Sequence, residues 1–112
     1  MKKFIALYMA PTASLDEMMK NSTPESMKKG MDGWMKWMQS HQASIVDGGA
    51  PAGKNKRVVG SEVKDVRNEV CGYTIVQAES HDAAAAIFKN MPHMGIKGGY
   101  IEVVELLPVP GM

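Results

Sequence analysis

Residues 71–107 read CGYTIVQAESHDAAAAIFKNMPHMGIKGGYIEVVELL, and this stretch decides the fold. Cys71 to Ala78 is a strand, rich in β-branched and aromatic residues. Ser80 is placed to cap a helix, Asp82 falls in its first turn, and AAAAIFKN is strongly helical until Pro92. Gly98-Gly99 then opens a last strand, YIEVVELL, before Pro108 and Pro110 force an extended tail. Strand, helix, strand is the second half of a split βαβ pattern.

Toward the amino end, Phe4 to Met9 is a short apolar run closed by Ala10-Pro11, which reads as a strand buried on both faces. Ser14-Leu15-Asp16-Glu17 has the form of a capping box, so a short helical turn is expected to carry Met18 and Met19. A longer helix follows. Thr23 suits its N-cap, Pro24 its first position and Glu25 the positive end of its dipole. Met27, Met31, Trp34, Met35, Met38 and Ile45 recur at helical spacing and predict one buried apolar stripe, on a helix reaching roughly residue 43. Lys28, Lys29, Lys36 and Ser40 fall on the opposite side, and Gly30 and Gly33 suit close packing of this helix. Beyond a glycine-rich connection, Arg57–Val59 and Glu62–Val66 are expected as a weak strand pair or one irregular strand.

The order is β-α-β-β-α-β in a single domain, residues 1–112: an α+β, ferredoxin-like antiparallel sheet with two helices on one face. The first and third strands are apolar at successive positions, so their second face also needs cover. A second copy of the chain is the simplest cover, and a homodimer is expected.

Composition bounds the function. The 112 residues fit one domain that gains from a partner's surface. A formal net charge of +1 lacks the basic footprint that nucleic acid requires, so no nucleic-acid partner is expected. The lone cysteine, Cys71, cannot form an internal disulfide and points to a reducing cytoplasm. MKKFIALYMAPTAS has the outline of a signal peptide, but its apolar run is short and holds Tyr8, which favours a strand. No run approaches the ~18 residues of a membrane span, so no membrane partner is expected.

Gly48, Gly53 and Lys54 match the spacing G-x-x-x-x-G-K. A phosphate loop needs a strand before it and a helix after it, whereas the order here is helix, loop, strand. Asn55 stands where a hydroxyl should hold magnesium, and Pro51 removes an N–H from the cradle. The match is a decoy.

The segments WMKWMQSHQASIVDGGAPAG and CGYTIVQAESHDAAAAIFKNMPHMGIKGGYIEVVELLPV together resemble the YCII-related family, in order and over nearly the whole chain. That resemblance implies a dimeric α/β barrel of two ferredoxin-like protomers, with a pocket between sheet and helices. It does not name a reaction. Some relatives are proposed to use a His–Asp pair, but Met91 stands at the aspartate position before Pro92, and Gly33 or Trp34 near the histidine position. The D-G-P-F motif of another branch is replaced by SEVKDVRNEV.

Candidate chemistry then rests on individual residues. His93, in a loop before the last strand, is the candidate acid or base, since imidazole titrates near neutrality. His41 and Asp47 are candidate assistants. Trp34, Trp37, Met38, Pro51 and Tyr73 are the candidate lining of a ligand pocket. Glu102 and Glu105 point to opposite faces of the last strand. His41, His81 and His93 have no zinc spacing, and the methionines follow helix spacing, so no metal and no cofactor are expected. The function expected is binding or transformation of a small organic molecule; the alternative is a non-catalytic ligand-sensing or protein-interaction module.

Overall fold

The computed structural model describes residues 1–111. The chain runs β1 (Lys2–Met9), α1 (Thr12–Asn21), α2 (Pro24–Ser40), β2 (Ile45–Pro51), β3 (Asn55–Val59), β4 (Glu62–Val66), β5 (Val70–Ala78), α3 (His81–Ile87), a 3₁₀ turn (Pro92–Gly95) and β6 (Tyr100–Leu106). Four strands form one antiparallel sheet in the order β2-β5-β1-β6, and β3-β4 form a hairpin of their own. This is the ferredoxin-like arrangement with an extra hairpin inserted between its second and third strands.

The second strand of the sheet is not where the pattern placed it. Ile45–Pro51 pairs with β5, whereas Arg57–Val59 and Glu62–Val66 pair only with each other. Two register shifts in β2, at Ile45/Asp47 and Asp47/Ala50, hide its period-two signal. Its glycines allow close strand approach. Gly49 has φ +75, and a Cβ there would collide with the Tyr73 carbonyl. Ile45 therefore belongs to the sheet and not to the helical stripe.

α2 begins as expected. Ser26 N–H donates to Thr23 Oγ1 (3.0 Å) and Thr23 N–H donates back to Ser26 Oγ (2.9 Å), a reciprocal cap. The box at Ser14 does not form, because α1 already starts at Thr12, behind Pro11. The stripe is the larger correction. Met27, Met31 and Met35 are 65%, 58% and 51% exposed, and residues 21–32 are exposed throughout. Only the last two turns of α2 lie on the sheet, through Trp34, Trp37 and Met38. The helical period was right, but the packing partner is shorter than the helix. Gly33 faces Pro92 at ordinary contact distance, while Gly30 has nothing near it.

In the sheet, residues two apart share a face. Phe4, Ala6 and Tyr8 of β1 lie beside Val76, Thr74 and Gly72 of β5, all buried under the helices. Trp37, Ala84, Phe88 and Met91 complete that core. The opposite face carries Ile5, Leu7 and Met9, with Ile75 and Tyr73 paired to Ile5 and Leu7, all half-buried. Val104 and Leu106 extend it and are 46% and 42% exposed. The radius of gyration is 15.6 Å, against about 13 Å for a compact chain of this length; the overhanging helix and the separate hairpin account for the excess.

Candidate functional site

Tyr8 is in phase with Phe4 and Ala6, so its ring enters the helix-covered side of the sheet. Four further rings meet it or continue from it. Trp34 stands edge-on at 5.1 Å between centroids, and His93 lies at 5.4 Å. Trp34 then contacts Trp37 at 5.5 Å, and Trp37 contacts His41 at 5.0 Å. Phe88 braces the row, 6.3 Å from Tyr8 and 5.4 Å from Trp37. His93, Tyr8, Trp34, Trp37 and His41 thus form one continuous aromatic row with an imidazole at each end.

The polar atoms of the row have fixed directions. Thr74 Oγ1 lies 3.0 Å from the Gly48 carbonyl and 2.7 Å from the Tyr8 hydroxyl. A carbonyl only accepts, so Thr74 donates to Gly48 and Tyr8 donates to Thr74. Burial pushes the Tyr8 phenol up to about 12, with the Thr74 hydrogen bond opposing. Near neutrality Tyr8 is therefore a hydrogen-bond donor and not a phenolate base.

His93 is 9% exposed, and its Nε2 lies 2.7 Å from the Met9 carbonyl. By the same logic Nε2 carries the proton, and in the neutral ring Nδ1 keeps its lone pair. His41 ends α2 with Nδ1 donating to the Trp37 carbonyl at 2.9 Å, so its Nε2 holds the lone pair. Each imidazole has one nitrogen held by backbone and one basic nitrogen left.

Not all candidates join the row. Asp47 is exposed on β2 and accepts the Gly49 N–H at 2.8 Å, a turn-forming contact. Pro51 ends β2 opposite Gly72 and is exposed. Tyr73 points to the other face of the sheet, opposite Leu7. Met38 does approach the row's polar end, since a Cβ on Gly48 would sit 2.6 Å from its Cε. Thr74 and Phe88 belong to the cluster and were not singled out from the sequence. Thr74 had a signal: it is a polar residue in phase with Val76 and Ala78 on a buried strand face.

The rings pack against one another, and two surface clefts are lined by other residues. A cleft of about 250 Å³ separates α1 from the loop after the 3₁₀ turn, with Glu17, Asn21, Ile96 and Lys97 among its walls. Another of about 400 Å³ lies at the base of the β3-β4 hairpin, beside Lys54, Lys56 and Asp65. Neither is lined by a ring of the row. No helix among the described residues is long and apolar enough to cross a membrane.

No family model matches the chain, and no curated protein matches it. Among solved structures it is similar to the 5-chloro-2-hydroxyhydroquinone dehydrochlorinase TftG of Burkholderia phenoliruptrix AC1100, solved with 2,5-dihydroxybenzoquinone. The TM-score is 0.51 at 16% identity, over 89% of this chain and 90% of that one, which establishes a common fold.

Proposed function

We propose that this chain is a YCII-like protein that works as a homodimer and binds or transforms a small organic molecule between sheet and helices. The observation that carries this reading is the His93–Tyr8–Trp34 contact: three rings meeting on the helix-covered side of the sheet, with one imidazole nitrogen not engaged by backbone and the Tyr8 hydroxyl held by Thr74. A planar ligand suits such walls, because aromatic faces stack with gain beyond area burial. The shared fold with a dehydrochlorinase that holds a dihydroxyquinone supports the same ligand class. The apolar outer face of the sheet supports the dimer, since half-buried Ile5, Leu7 and Ile75 gain by losing water.

In the catalytic version His93 Nδ1 takes or gives the proton, and Met9 holds the tautomer through Nε2. A non-catalytic sensing module is the second reading. It is favoured by Met91, buried at 2% exposure where the resemblance would place an aspartate: no carboxylate stands there to orient an imidazole.

Light scattering and turnover assays test the proposal. Twice the chain mass is expected at micromolar concentration; a monomer contradicts the dimer. With chlorinated hydroquinones as probes, His93→Gln that loses turnover but keeps affinity supports the enzyme. Loss of binding alone supports the module. Absence of both binding and turnover in the unaltered protein contradicts the ligand class.

A further inference from the structure

The apolar stripe of α2 carries three exposed thioethers on successive turns. Met27, Met31 and Met35 are spaced i, i+4, i+8, and all three are more than half exposed. Neighbours at i, i+4 have Cβ atoms about 5–6 Å apart, and each methionine has three rotatable bonds before its methyl group. Two adjacent sulfurs can therefore close on one ion. Thioether sulfur is a soft, neutral donor that prefers soft monovalent ions over hard, hydrated cations such as magnesium. The flanking charges nearly cancel: Lys28 lies three positions before Met31, and Asp32 lies four after Lys28. Cys71, the one thiol, is engaged elsewhere, with Sγ directed at the Tyr8 carbonyl. Among the described residues no three His, Cys, Asp or Glu converge on a metal-sized space. The thioether row is thus the metal-binding chemistry that this surface offers.

We propose that the Met27–Met31–Met35 row of α2 binds a soft monovalent cation of the Cu(I) or Ag(I) type, through pairs of thioethers on adjacent turns. The three residues lie outside the core cluster that holds the aromatic row.

The test is a titration of the full-length protein, ¹³C-labelled at the methionine methyls, with silver nitrate and separately with Cu(I) held reduced by ascorbate. The Cys71→Ser variant serves as the parent, to remove the thiol. Saturable shifts confined to Met27, Met31 and Met35 are expected, while buried Met91 stays still. The variant M27L/M31L/M35L keeps the apolar bulk and removes the sulfur. It is expected to bind at least about tenfold more weakly with unchanged circular dichroism. Equal affinity in that variant, shifts centred on other methionines, or no saturable binding overturns the proposal. If the triple variant does not fold, Met31→Leu alone is used: it interrupts both pairs, and undiminished affinity contradicts the site.

Discussion

The Tyr8 hydroxyl and Thr74 Oγ1, 2.7 Å apart on neighbouring strands, form the central polar link of the core, and Thr74 passes it on to the Gly48 carbonyl of a third strand. Both side chains are at most 4% exposed, so each needs the other as partner. Thr74→Val, which keeps the shape, strands the Tyr8 hydroxyl and the Gly48 carbonyl, and is expected to cost about 1–3 kcal/mol. Tyr8→Phe alone is expected to cost less, because the Thr74 hydroxyl still reaches Gly48. Urea denaturation of both single variants and the double variant gives the coupling. A double variant whose cost is the full sum of the singles contradicts the link.

Alkaline stability follows from the same hydroxyl. The Tyr8 pKa is raised from 10.0 to about 12 in the fold, so between these values the folded chain holds a proton that the unfolded chain has lost. Stability is then fully present below about pH 10 and falls as pH rises through about 12, by on the order of 2–3 kcal/mol. The Cys71 thiol, raised by burial, acts in the same direction and is kept constant in the comparison. The stability difference between the native chain and Tyr8→Phe should shrink across that window. A difference independent of pH from 9 to about 12 contradicts the assignment.

The exposed and the covered positions of α2 predict opposite responses. Met31→Asp is expected to change stability by no more than about 0.5 kcal/mol, as at other exposed positions. Trp37→Ala removes a side chain that is 8% exposed and joins the core, and should cost about 3–5 kcal/mol. Thermal melts of the two variants check this. Similar losses would mean that the methionine row is buried after all.

The glycine-rich segment separates in the same way. Gly49→Ala drives a Cβ into the Tyr73 carbonyl at a positive φ, and should destabilise by more than about 1 kcal/mol. Lys54→Ala should change stability by at most about 0.5 kcal/mol and leave the protein without magnesium-dependent ATP or GTP affinity. A nucleotide affinity abolished by Lys54→Ala would restore the phosphate-loop reading.

The sheet, three of its strands and α3 were legible because their patterns are local: β-branched runs, Ser80 as a cap, Pro92 as a stop. Ser80 does cap α3, accepting the Ala83 N–H at 3.1 Å. β2 was not legible, because its bulges break alternation and its glycines read as loop until the Tyr73 carbonyl beside them is known. The methionine stripe failed for a different reason. A helical period tells which residues share a side, but not how far along the helix a neighbour extends. At the candidate site, Trp34, Trp37 and His41 adjoin along α2, but His93 meets them through Tyr8, a contact between residues far apart in the chain. His81, exposed at the start of α3, is held by the Val103 carbonyl at 2.7 Å from Nε2 and by a tilted contact with Phe4, neither of which its sequence neighbours reveal.

The central claim is that a planar ligand enters beside His93, Tyr8 and Trp34. Nuclear magnetic resonance of the ¹⁵N-labelled chain, titrated with 2,5-dihydroxybenzoquinone, tests it most directly. Saturable shifts at the His93 ring and the Trp34 indole are expected, reduced by Trp34→Ala while the Glu17–Lys97 cleft stays silent. Shifts confined to that cleft, or no saturable shift at His93 and Trp34, would contradict the account.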